Sequence, residues 1–194
     1  MEQRSYFGYI QFSPATSLKL RIFDFSGVML MTWRGSVGAS DRIFSVLVYL
    51  FALYDAWSFG VFLVREFPIL NYLAIPLLPI AYLYGIFGQF FGILGGFLIF
   101  ILLFVAVARN TNLAHFLRFN AMQTILIGIL LSLLQIATQY LLQPLFGNTI
   151  IIEVFFNVVF LGAVSACIYC MIQSALGRYP EIPVISEATY SQIF

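Results

Sequence analysis

The sequence predicts an all-α integral membrane protein: a four-transmembrane-helix bundle with one additional re-entrant or interfacial segment that contains prolines. Three observations carry that expectation. Charged residues are only 9% of the 194, against 62% hydrophobic, whereas a soluble domain carries roughly 25% charged residues. Several apolar runs reach the ~20 residues needed to cross the hydrocarbon core. The basic residues sort to one side only when four spans are drawn. Arg4, Lys19, Arg21, Arg34, Arg42, Arg109, Arg118 and Arg178 then share a side, and Arg65 stands alone on the other. With five spans the bias nearly vanishes, so the positive-inside rule selects four and puts both termini on the side of synthesis.

Residues 1–40 read as a peripheral arm. Phe23, Phe25, Met29, Met31 and Trp33 suit a membrane surface but follow no clean period. No apolar core ending in small residues marks a cleavable signal. Ser40 or Asp41 is placed to cap the first span, 43–64, which contains Asp55 and closes at Arg65, Glu66 and Pro68. The segment 69–84 is apolar but interrupted by Pro76 and Pro79, which remove donors and kink a helix. It is the re-entrant or interfacial element.

The second span is 86–108. Gly88, Gly92 and Gly96 form a small-xxx-small ladder on it, expected to pack closely against another helix. The stretch 107–123 is a charged elbow. His115, Arg118, Asn120 and Gln123 are polar, while Leu113, Phe116, Phe119 and Met122 recur every three residues. That pattern predicts a helix that starts at the interface and enters the bilayer as span three, 116–142. The fourth span is 150–176, and the polar tail 179–194 is expected to be exposed.

Span three carries a polar stripe. Asn120, Thr124, Gly128, Ser132, Gln135 and Gln139 are separated by steps of four, four, four, three and four, which puts them on one face. Unpartnered amides facing lipid cost several kcal/mol each, so this face meets protein or water. Two readings are open: the wall of a polar path, or hydrogen-bonding glue between helices. Asp55 in span one joins this set. So do Glu153 and Asn157, one turn apart in span four, because intramembrane charges are expensive. Glu153 lies near the membrane edge, where solvation alone would explain it.

Composition and motifs exclude several classes. A net charge of +1 offers no basic patch for nucleic acid. No H-E-x-x-H or G-x-S-x-G occurs and there is one histidine, so no enzyme is expected. Cys167 and Cys170 form a C-x-x-C inside an apolar run, where they read as small buried residues rather than a redox pair. No cofactor is expected; lipid contact is. Ligation of a chlorophyll magnesium by His115 is a minor alternative, since its neighbours are polar and its depth interfacial.

MTWRGS at 31–36, SDRIF at 40–44, VARN at 107–110, HFLRFNAMQ at 115–123 and GRYPEIPVISEA at 177–188 together resemble the twenty-kilodalton Tic subunit family. These are channel-type subunits of the chloroplast inner-envelope protein translocon, with cyanobacterial and plastid-encoded relatives. The resemblance spans about residues 31–190. It implies four spans and a location in a plastid inner envelope or cyanobacterial membrane, with both termini stromal or cytoplasmic. It also implies partners among translocon membrane subunits, an unfolded preprotein as passenger, and energy supplied by a separate motor. The motif His115, Arg118, Phe119, Asn120, Met122 and Gln123 is its most specific part. Gly128 departs from the pattern, standing where many relatives carry an acidic residue. The lack of a transit-like segment suits a cyanobacterial or plastid-encoded member. The rival reading is a non-catalytic accessory subunit of another large membrane complex, for example a photosynthetic one, in contact with pigment or lipid.

Overall fold

The structure is a computed structural model that describes residues 37–147 and 149–193. The expected peripheral arm, up to residue 36, lies outside the described residues, as does Asn148 in the expected turn. Every regular element among the described residues is helical. Helix α1 is Ala39–Trp57 and α2 is Val61–Glu66. A 3₁₀ segment, Pro68–Leu77, leads into α3, Leu78–Phe91. Helix α4, Gly95–Leu103, ends in a π-turn over Phe104–Ala108. Helix α5 is His115–Ala137 and passes through a π-turn, Thr138–Leu142, into the short α6, Gln143–Phe146. Helix α7 is Ile150–Ala175 and α8 is Ile185–Gln192.

The core is built where α1 packs against both α5 and α7. Tyr49, Ala52 and Ala56 on α1 are fully buried against Ile127 and Leu131 of α5 and Phe156, Phe160, Cys167 and Cys170 of α7. Alanines one turn apart let the backbones approach closely, the usual basis of helix association in lipid. Both cysteines are free and buried. Outward-facing positions such as Tyr72, Phe90, Ile150 and Val158 are exposed apolar residues, as a lipid-facing surface requires.

The contacts fix the relative directions. Tyr49 meets Asn120, and Ser58 meets Gln135 further along both helices, so α1 and α5 run the same way. Ser174 meets Asn120, while Phe156 meets Phe59, so α7 runs the opposite way. The segment from Tyr84, beside Asp55, to Ala108, beside Arg118, returns towards the start of α5. One end of the bundle therefore gathers Arg42, His115, Arg118 and Tyr179. The other gathers Ser58, Phe62 and Phe156. At the first end α7 stops in a Schellman motif: Arg178 N–H donates to the Gln173 carbonyl and Gly177 N–H to that of Ser174. Gly177 has φ 73, and a Cβ there would lie 2.8 Å from Arg42 Nε. Both the conformation and the space demand glycine.

Among the described residues, three segments are long and apolar enough to cross a membrane: Pro68–Phe91 with 24 residues, His115–Phe146 with 32 and Ile150–Ala175 with 26. Helix α1 has 19 residues but carries Asp41, Arg42 and Asp55. It stops short of the expected 64, where Ser58 Oγ turns back to the Asp55 carbonyl.

Between residues 69 and 108 the structure departs from expectation. The span drawn at 86–108 is not one helix. The chain bends sharply at Gly92, whose φ is 58 and ψ −132, a region open essentially to glycine. The bend brings Gly95 against the backbone of Phe87, where a Cβ would lie 2.6 Å from its carbonyl carbon. In a straight helix, eight residues would separate these two by about 12 Å. The 69–84 segment is joined to α3 in a single apolar run rather than set apart from the span. Pro76 lies in the 3₁₀ segment, and Pro79 lies in the first turn of α3, where its missing N–H would have no intrahelical partner. The expected glycine ladder fails for the same reason. A Cβ on Gly88 or Gly92 would meet nothing within 4 Å, and one on Gly96 only the Tyr84 ring. The bend takes the three glycines off a common face, and the close approach is at Gly95.

Candidate functional site

The polar stripe of α5 divides into two halves with different surroundings. Its first half is a buried junction. Asn120 is fully buried, and its Oδ1 accepts from Tyr49 Oη at 2.9 Å and from Ser174 Oγ at 2.8 Å. Its Nδ2 donates to the Phe116 carbonyl at 2.7 Å. One amide thus ties α1, α5 and α7 together. Gln123, also fully buried, donates from Nε2 to Cys170 Sγ at 3.7 Å, while its Oε1 has no hydrogen-bond partner among the described residues. Met122 and Phe119 are buried beside them against Leu117, Ile125 and Ile193.

The second half faces an open groove between α1 and α5. Ser132, Gln135 and Gln139 are exposed. Asp55 is half-buried and leans across the groove. Its Oδ1 accepts from Tyr84 Oη at 3.2 Å, and its Oδ2 lies 3.1 Å from where a Cβ on Gly128 would be. The stripe has no charge on its own helix at 128, and α1 supplies one from the side. On either side of Asp55 the groove opens into cavities of about 630 Å³ and about 750 Å³. Both are lined by Asp55, Ser132 and Ile136. Thr124 lines the first; it is 2% exposed and its hydroxyl has no hydrogen-bond partner among the described residues. Glu153 and Asn157 on α7 line neither cavity. Glu153 sits in the first turn of α7, where a negative charge is favoured by the helix dipole.

The elbow folds inward. Arg118, expected to reach headgroups, is 8% exposed, and its Nε donates to the Ala108 carbonyl at 3.2 Å. It thereby satisfies a terminal carbonyl of the preceding π-turn. Arg109 stays at the surface, its guanidinium 5.8 Å from the Phe104 ring centroid. His115 is half-buried with Nδ1 3.1 Å from Tyr179 Oη.

The C-terminal segment is not an exposed tail. Pro180, Ser186, Thr189 and Ile193 are buried. The Tyr179 ring lies 5.1 Å from both Phe116 and Phe119, and Tyr190 lies 4.7 Å from Phe119. Its polar composition hid this docking, because Ser186 and Thr189 satisfy backbone groups within the segment. The functional residues that the sequence did not single out are Tyr49, Tyr84, Ser174 and Tyr179. Each is one phenol or hydroxyl on an otherwise apolar face, visible only once its partner on another helix is known.

A helical membrane protein with a hydrogen-bonded core and a lateral polar groove is what these residues build. The comparisons then specify the kind. A family model described as "Chloroplast import apparatus Tic20-like" matches residues 40–189. A Tic20 family protein of Synechocystis sp. is 46% identical over 163 residues, covering 84% of this chain and 99% of the relative. Protein TIC 20-v, chloroplastic, of Arabidopsis thaliana is 31% identical over 159 residues, covering 81% and 73%. A Tic20 family protein Ycf60 of Gracilaria tenuistipitata var. liui is 30% identical, covering 79% and 75%. The chain belongs to the Tic20 family, an integral membrane family of translocon components rather than of enzymes. The match includes the elbow motif, α7 and most of the docked C-terminal segment.

Tyr179→Ala should lower stability by about 2–4 kcal/mol, near the range for deleting a buried aromatic ring. Tyr179→Phe keeps the ring packing and removes the hydroxyl with its His115 contact, so it should cost less, about 1 kcal/mol for that hydrogen bond. Thermal unfolding of the purified chain in detergent ranks the two.

Proposed function

We propose that this chain is a membrane-embedded subunit of a preprotein translocon and contributes part of a protein-conducting path or its scaffold. Family membership across residues 40–189 supports the class of function. The observation that carries the finer reading is the division of the α5 stripe. Asn120 bonds α1 and α7, and Gln123 Nε2 bonds α7, so the first half acts as a scaffold. Ser132 and Gln135 line a groove open along its side, so the second half supplies one polar wall that another chain would have to complete. Its partners are other membrane subunits, an unfolded preprotein and lipid. The native complex, isolated with a precursor arrested in transit, should contain translocon subunits and the precursor. Co-purification of chlorophyll and photosystem subunits instead would overturn this reading.

The same proposal fixes an orientation. Four crossings place the end that holds Arg42, Arg109, Arg118 and Arg178 on the stromal or cytoplasmic side with both termini. Arg65 and Glu66 then lie opposite. Cys167 and Cys170 are buried, so they give little background to cysteine labelling. Asn112→Cys should react with an impermeant reagent from the terminal side only, and Glu66→Cys from the opposite side only. Labelling of both from one side contradicts four crossings.

A further inference from the structure

We propose that the groove holding Asp55 is a docking site for a transmembrane helix of another polypeptide, one that carries a lysine or arginine opposite this carboxylate. The inference goes beyond the transport reading and stands without it.

Asp55 lies deep in the bundle. It faces Gly128, roughly 20 Å along α5 from its start at about 1.5 Å per residue. A carboxylate at such depth is costly unless it is paired. Its hydrogen-bonding partner is Tyr84, a neutral hydroxyl, and among the described residues no basic side chain pairs with it. The basic residues of this chain that are described sit at the two ends of the bundle. Arg42, Arg109, Arg118 and Arg178 are at one and Arg65 is at the other. A second copy in the same orientation therefore brings none of its described cations to this depth. Among the described residues nothing complements this charge, and we assign that role to a different chain.

The shape of the groove points to a helix. Its wall on α5 runs from Thr124 to Ile136, roughly 18 Å at about 1.5 Å per residue, or about three helical turns. It opens towards lipid between Phe97, Leu133 and Ile136, all exposed apolar residues. Gly96 and Gly128 keep its floor low, which permits the close backbone approach that helices in lipid favour. The Thr124 hydroxyl, buried, lining the same cavity and without a partner among the described residues, offers the occupant a second hydrogen bond.

The test uses the full chain in its native membrane complex. Photo-crosslinkers are placed at Leu133 and Ile136, which line the groove, and at Val158 on α7, which does not. Leu133 and Ile136 should give adducts to another integral membrane protein, with the crosslinked peptide within one turn of a Lys or Arg in an apolar span. Asp55→Asn, nearly the same in shape, should reduce those adducts about three- to tenfold, the size of one interhelical polar contact in a bilayer. The Val158 products should not change. Replacing the partner's base by a neutral residue should cause the same loss while this chain stays intact. Pairing Asp55→Lys with an acidic residue at the partner's base should restore the adducts. Adducts only to lipid, to a passing precursor, to a second copy or to residues 1–36 of the same chain would overturn the proposal. So would groove adducts whose yield ignores both the Asp55→Asn change and the loss of the partner's base.

Discussion

The fold depends on one buried amide. Asn120 receives hydroxyl hydrogens from α1 and α7 and returns a hydrogen to its own helix. Apolar contact does little to hold helices together in lipid, because lipid tails are as apolar as leucine. Close packing of small residues and interhelical hydrogen bonds carry the association instead. Ala52 and Ala56 supply the first on α1, and Asn120 supplies the second on α5. The charged elbow is part of the same construction. Arg118 closes the end of the preceding segment, and the docked C-terminal residues cover Phe116 and Phe119. From Phe116 onward the elbow is therefore a structural junction buried under its own chain, while Arg109 and Asn112 stay at the surface.

That arrangement explains why the stripe on α5 has two roles. Where α1 and α7 both press on α5, Asn120 and the Gln123 Nε2 are engaged in bonds to them. Beyond Thr124, α7 no longer answers them. Ser132 and Gln135 face the groove that Asp55 overlooks, and Ser58 Oγ is 3.5 Å from Gln135 Oε1. Gly128 matters because it leaves room for a carboxylate from α1. A side chain at 128 would occupy the space that the Asp55 oxygen now approaches. The site thus carries its negative charge on α1 while the polar face it serves is on α5.

Much of this was legible in the sequence where pattern and structure use the same period. The steps of the α5 stripe predicted a common helical face, and the long apolar runs at 116–142 and 150–176 correspond to α5 and α7. What failed was local. The Gly88, Gly92 and Gly96 spacing fits a helical ladder, but it says nothing about backbone sign, and Gly92 adopts a positive φ that ends the helix. Pro76 and Pro79 suggested an interruption, whereas the chain takes Pro76 into a 3₁₀ path and Pro79 into the first turn of α3, so the run continues. The polar C-terminal residues read as solvated because their bonds within the segment could not be foreseen. Pairings such as Tyr49 with Asn120, or Tyr84 with Asp55, are long-range and leave no trace in periodicity.

The central claim is that the Asn120 amide couples α1 to α7 through a shared acceptor. A double-mutant cycle with Tyr49→Phe and Ser174→Ala tests it most directly, read as unfolding free energy in mild detergent. Both substitutions remove a donor to the same oxygen while leaving the packing nearly intact. The account predicts a coupling of about 0.5–2 kcal/mol between them, in the range for residues that share one buried network. Losses that simply add would contradict it, because they would mean that the two hydroxyls act independently.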